Sequence, residues 1–187
     1  MHPQLAKALN NRNERWRPLP LWLLPHSLPT ARDPAHILEV VAALQPEASP
    51  RYAPLGTLTY CNIFLWDFTC AMGAEVPHWV DAADAPAQPG RLARETRANE
   101  LVRAMRRPEG AWGYTRVDRA TAAAHASAGR PVVAGWVNEL GPGHVGVVLP
   151  GNTADQLRIA QAGARCARDM SMAEGFGQRP VQFFSHP

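Results

Sequence analysis

The sequence predicts an α+β fold, with helices first and an antiparallel sheet after them. Three observations carry that reading. Two segments before residue 75 repeat apolar residues at helical spacing. Past Gly129 the pattern turns into short β-type runs separated by glycine-rich turns. Hydrophobic residues make up 46% of the 187 positions, enough for one packed domain with a sizeable core.

Residues 1–32 read as a proline-rich extended arm, because Pro18, Pro20, Pro25 and Pro29 fix φ and remove backbone donors at short intervals. Residues 33–187 then form the folded domain. Asp33 is placed to cap a helix and Pro34 to open it, with Ile37, Val40, Val41 and Leu44 along its buried face. A loop follows over 46–54. The segment 61–72 reads as the next helix, with Phe64, Leu65, Phe68 and Met72 on one face and Gly73 as its stop. After an irregular stretch at 76–90, helices are expected at 93–107 and at 119–128, the second capped by Asp118 and ended by Gly129. Strands are expected at 131–137, 144–149, 157–162 and 181–184, with a loop at 164–168.

The net charge of +3 suits an anionic partner such as a cell wall. The arginines are scattered and form no basic stripe interleaved with aromatics, which argues against nucleic acid. No apolar run approaches the roughly 20 residues of a membrane span. Met1 to Arg15 is polar, and no apolar core with a small-residue cleavage site follows it. The chain is therefore expected to be made in the cytoplasm without a signal peptide, and to use another route if exported. The three cysteines, Cys61, Cys70 and Cys166, are few and widely spaced, against both a disulfide framework and a zinc site. No metal or organic cofactor is expected.

Cys61 stands where a β-type run, Leu58-Thr59-Tyr60, gives way to a helix. A helix start carries roughly half a positive charge and unpaired N–H groups, which favour a thiolate and a developing oxyanion. A base is needed, and His144 opens a strand directly after the turn Gly141-Pro142-Gly143. Gln161 is a lone polar residue in Ile159-Ala160-Gln161-Ala162-Gly163, on the strand expected beside it. An antiparallel pairing brings it near His144 as the group that orients the ring. Each residue alone also has a plain reading: a core thiol, a structural histidine, a solvent-facing glutamine.

Together, Tyr60-Cys61-Asn62 at a helix start, Gly143-His144-Val145-Gly146-Val147-Val148 and Ala160-Gln161-Ala162-Gly163 resemble the NlpC/P60 and CHAP superfamily. Its members are papain-like cysteine peptidases and amidases that cut peptidoglycan peptides. The resemblance covers residues 55–163. It implies a papain-like fold, with Cys61 as nucleophile, His144 as general base and acid, and Gln161 as orienter. The family's Asp-Cys-Ser-Gly stretch reads Tyr-Cys-Asn-Ile here, and Leu55 stands where papain-type enzymes carry an oxyanion glutamine. The implied substrate is a peptidoglycan stem peptide, cut at the γ-D-glutamyl–diaminopimelate bond. The implied setting is an antibacterial effector, for instance of a type VI secretion machine, or a phage-type lysin. It would act in the periplasm or cell wall of a target bacterium, and a toxin of this kind implies a cognate immunity protein.

Tyr60, Asn62, His78 and Trp112 are the candidates for the substrate-binding wall. Tyr60 and Asn62 flank the nucleophile, His78 follows its helix, and Trp112 lies between glycines. Cys70 reads as core and Cys166 as a bystander whose flanking arginines would lower its pKa if exposed. Two other readings stand beside this one: a protein-directed cysteine protease or transferase of the same fold, and a non-enzymatic module whose arm docks a partner.

Overall fold

A computed structural model describes residues 1–187. It is an α+β fold with six helices and a six-stranded antiparallel sheet. The helices are α1 (Pro3–Leu9), α2 (Pro34–Leu44), α3 (Cys61–Ala71), α4 (Ala98–Met105), α5 (Arg119–Ser127) and α6 (Met172–Phe176). A two-stranded ribbon pairs β1 (Trp79–Val80) with β2 (Arg94–Glu95). The main sheet holds β3 (Thr115–Val117), β4 (Val132–Trp136), β5 (His144–Val148), β6 (Arg158–Gln161), β7 (Ala167–Ser171) and β8 (Gln182–Ser185). Its order is β3-β8-β4-β5-β6-β7, so β4 to β7 form a meander and β8 returns to the far side of β4. No helix is long and apolar enough to cross a membrane.

Side chains alternate across a strand, and the sequence uses both faces of the sheet. Val133, Val145, Val147, Ala160 and Phe184 point into a large core with α2, α3 and α4. Their neighbours Val132, Ala134, Val148, Ile159 and Phe183 point the other way, into a smaller core with α5 and α6. Helices on both faces bury the central strands except at Trp136, His144 and Arg158, which stay half-buried at the strand ends.

The cap at Asp33 forms as the sequence predicts, with its Oδ1 accepting from Ala35 N at 2.8 Å. Helix α3 departs from the simple amphipathic expectation: it is buried on every side, polar residues included. Asp67 is held by Arg51 through Nε–Oδ2 at 2.6 Å and Nη2–Oδ1 at 2.9 Å, and by Tyr52 OH at 2.8 Å. Thr69 Oγ1 donates to Leu65 O and accepts from Val76 N. Every buried polar group on the helix thereby finds partners, which is what lets α3 run through the interior.

The segment 1–32 is corrected by the structure. It is not an extended arm: residues 3–9 form α1, and Leu5, Leu9, Leu19 and Leu24 join the main core. Pro3 sits in the first turn, where its missing N–H costs nothing, and no other proline interrupts α1. Leu9 O accepts from Arg51 N at 3.1 Å and from Ser49 Oγ at 2.7 Å, and Arg51 Nη2 donates to Arg17 O. The expected helix at 93–107 starts later, at Ala98, because Arg94 and Glu95 are spent in the ribbon with β1. The expected loop at 164–168 is partly strand: β7 begins at Ala167.

Candidate active site

Tyr60, at the N-cap position of α3, offers no side-chain cap to the helix. The N–H groups of the first turn are left without a side-chain acceptor, directly around Cys61. The thiol is 4% exposed. Burial pushes its pKa up, but His144 and the N–H groups of Val145 and Asn62 outweigh that, and the net shift is downward. His144 shifts the other way: burial lowers it, while Cys61 and then Gln161 raise it to a net upward shift. Imidazole and thiol are neighbours, and each is the group that most offsets the effect of burial on the other.

His144 reaches this position because β5 starts at it, immediately after the loop 138–143. That loop is clamped by Asn99 on α4. Asn99 Nδ2 donates to Asn138 O and Gly141 O, each at 2.9 Å, and its Oδ1 accepts from Asn138 N at 2.9 Å. Gly143 makes the approach possible, since a Cβ there would meet Asn99 Oδ1 at 2.1 Å. The partners of Asn99 lie about forty residues away, so no local signal marks it.

Gln161 lies where the β6–β7 pairing shifts register, between Ile159 and Gln161. Its Oε1 stands 2.6 Å from His144 Nε2, and its Nε2 donates to Arg165 O at 3.0 Å. The second bond fixes which way the amide faces, so Oε1 accepts from His144 Nε2–H. The other ring nitrogen, Nδ1, is left unprotonated and free for the thiol. Phe176 packs its ring 5.0 Å from that of His144. Gly175 leaves room for the amide, because a Cβ there would stand 2.8 Å from Gln161 Oε1.

The structure thus brings Cys61, His144 and Gln161 together. The other candidates have different places. Tyr60 is half-buried, with the Arg15 guanidinium 3.5 Å over its ring. Asn62 turns inward, donating through Nδ2 to Thr96 O at 2.9 Å and facing His78 Nδ1 at 3.3 Å. His78 is 1% exposed between Trp66 and Trp79, so it supports the back of α3 and does not line an open cleft. Burial, and behind it the Arg51 charge, pushes its pKa down to about 4. Glu95 Oε1 lies 3.4 Å from His78 Nε2, but not in line for a hydrogen bond. Trp112 is in a left-handed conformation with φ 52°, and its Nε1 donates to Asp84 O at 2.9 Å. It lines a hollow of about 230 Å³ with Arg94 and Arg107.

Cys166 is half-buried rather than exposed, so its flanking arginines do not act on it as they would on an exposed thiol, and burial pushes its pKa up. Its Sγ lies 3.4 Å from Tyr52 O, while the Arg165 and Arg168 guanidinium groups reach out to Glu174 and Glu47. Burial also raises Cys70, with Glu75 adding to the effect. Cys61 is the cysteine whose surroundings favour a thiolate. No group of His, Cys, Asp and Glu is gathered as a metal site. Hollows of about 310, 230 and 540 Å³ open elsewhere, and none is lined by Cys61, His144 or Gln161.

No protein-family model matches this chain, and no curated protein matches it in sequence.

Proposed function

We propose that the chain is a cysteine hydrolase of papain-like, NlpC/P60 type that cuts peptidoglycan stem peptides. The observation that carries this reading is the His144 Nε2–Gln161 Oε1 bond of 2.6 Å, beside a thiol at an uncapped helix start. That bond fixes the tautomer a general base requires.

In the proposed reaction the Cys61 proton passes to His144 Nδ1, and the thiolate attacks an amide carbonyl carbon. The negative charge moves to the carbonyl oxygen, where the Cys61 N–H at the start of α3 stabilises it. As the tetrahedral intermediate collapses, the C–N bond breaks and the imidazolium gives its proton to the leaving amine. Water then attacks the thioester with His144 as base, the acid leaves, and the thiol is restored. General acid–base help of this kind is worth roughly 10²–10⁴-fold in rate.

The choice of substrate follows from the family resemblance, with the γ-D-glutamyl–diaminopimelate amide as the preferred bond. The same resemblance supports an antibacterial effector or lysin acting in a target cell's periplasm, opposed by a cognate immunity protein. Purified peptidoglycan digested with the protein, its fragments read by mass spectrometry, tests this. New amino termini at diaminopimelate are expected with the wild type and none with Cys61→Ala. A folded protein that releases no fragments would sink the cell-wall reading.

A further inference from the structure

Eight arginines of the chain face a carboxylate within ion-pair distance. Ten face none, and three of these, Arg116, Arg119 and Arg179, line one hollow of about 310 Å³. The carboxylate lining that hollow is Asp118, and it is already committed: its Oδ1 caps α5 by accepting from Thr121 N at 2.7 Å. Three cations and one anion give the hollow a net charge of 3 − 1 = +2.

Two of these guanidinium groups are held in place before any ligand arrives. Arg179 Nη1 donates to Phe176 O at 3.0 Å, and its guanidinium carbon lies 4.6 Å over the Trp136 ring. Arg119 Nε donates to Ala154 O. Each keeps further N–H donors for a partner, and a fixed planar fork matches a carboxylate in two-point fashion. The hollow also adjoins the candidate base. Phe176 forms part of its wall and packs 5.0 Å from the His144 ring. Trp136, under Arg179, is the cross-strand partner of His144.

We propose that this hollow binds a carboxylate of the peptide substrate, through Arg119 and Arg179 with Arg116 at its rim. The choice of a peptide carboxylate rests on the hydrolase reading above, since stem peptides carry free carboxylates beside the amides to be cut. The size fits: about 310 Å³ holds an amino-acid-sized group, at the small end of ligand cavities. Binding there places the carboxylate on the α5/α6 face of the sheet, next to Phe176, which packs against His144. It also neutralises Arg179, whose charge disfavours the protonated imidazole.

The test uses full-length protein carrying Cys61→Ala, titrated calorimetrically with a stem tetrapeptide bearing free carboxylates and with its fully amidated form. The free acid is expected to bind about tenfold more tightly or better, the worth of one charge-assisted contact. The advantage disappears in Arg119→Ala/Arg179→Ala, shrinks in high salt, and survives Arg103→Ala, where the lost arginine belongs to another pair. All three positions are exposed, so folding is unaffected. Equal binding of acid and amide, or an equal loss in Arg103→Ala, would overturn the inference. With Cys61 restored, Arg179→Ala is expected to raise KM more than it lowers kcat and to move the basic limb of the pH profile upward. If the wild type digests peptidoglycan and Arg119→Ala/Arg179→Ala keeps its KM, the hollow is no subsite and the hydrolase stands. If the arginine-dependent binding is seen and no digestion occurs, the hydrolase reading falls and the carboxylate site remains.

Discussion

At Gln161 one amide decides which nitrogen of His144 carries the proton. Its Nε2 is spent on Arg165 O, so the group offered to the ring is an acceptor. Gln161→Ala is expected to lower kcat with little change in KM, and Gln161→Glu, which keeps an acceptor, to retain more activity; steady-state kinetics on a soluble stem peptide separates the two. The opposed shifts of Cys61 and His144 predict a bell-shaped pH profile. The thiolate–imidazolium pair exists above the lowered thiol pKa and below the raised imidazole pKa, and is lost by protonation on the acid side and deprotonation on the basic side. His144→Ala is expected to cost roughly 10²–10⁴-fold in kcat. Cys61, His144 and Gln161 were legible in the sequence because each interrupts a local pattern: a thiol at a helix start, an imidazole after a glycine turn, an amide among small residues. Asn99 was not, because its role is fixed by a loop far away in the chain.

Helix α3 carries Cys61 and is steadied from behind at two points. One is the buried Arg51–Asp67–Tyr52 cluster. Removing one member of such a pair strands the other charge, so Asp67→Ala is expected to destabilise by roughly 3–5 kcal/mol in denaturant unfolding. The other is His78, which stays neutral because burial holds its pKa down to about 4. As pH falls below the ordinary histidine value, the unfolded chain takes up a proton that the folded chain refuses. Stability then drops, and the drop levels off near the folded value. The span of about 2.5 pH units corresponds to roughly 3 kcal/mol, and His78→Gln is expected to remove it in melts across pH 4 to 7. On the opposite side, Gly175 in α6 sits against Gln161. A Cβ there would meet Ile159 Cδ1 at 2.5 Å and Gln161 Oε1 at 2.8 Å, so Gly175→Ala is expected to cost stability by crowding the core as well as to reduce kcat. Helix α6 and β7 escaped the sequence reading for different reasons. β7 is an edge strand whose Arg168 and Asp169 hide its alternation. α6 is only five residues long, although Ser171 and Glu174 form a capping box that the spacing Ser-Met-Ala-Glu does announce.

At the scale of the whole molecule, helices on both faces of one antiparallel sheet leave the start of β5 beside the start of α3, so His144 and Cys61 meet where two elements begin. Helices α2 to α5 and strands β4, β5, β6 and β8 were readable from periodicity, caps and turn residues, while the short strands β1 to β3, lying between those helices, were not. The N-terminal segment was not, because its prolines signal irregular backbone and say nothing about what Leu5, Leu9, Leu19 and Leu24 bury. Its packing makes a further expectation: deleting residues 1–24 removes four core leucines and the carbonyl partners of Arg51, and destabilises the remainder. Leu9→Ala alone is expected to cost about 2–5 kcal/mol in denaturant unfolding. The central claim is that Cys61 is a thiolate prepared by His144. Alkylation of the three cysteines with iodoacetamide, followed site by site across pH by mass spectrometry, tests it most directly. Cys61 is expected to react with a half-point below that of an ordinary thiol, about 8.5, and His144→Ala to move it upward while Cys70 and Cys166 stay put. A Cys61 half-point at or above the ordinary value, unmoved by His144→Ala, would contradict it.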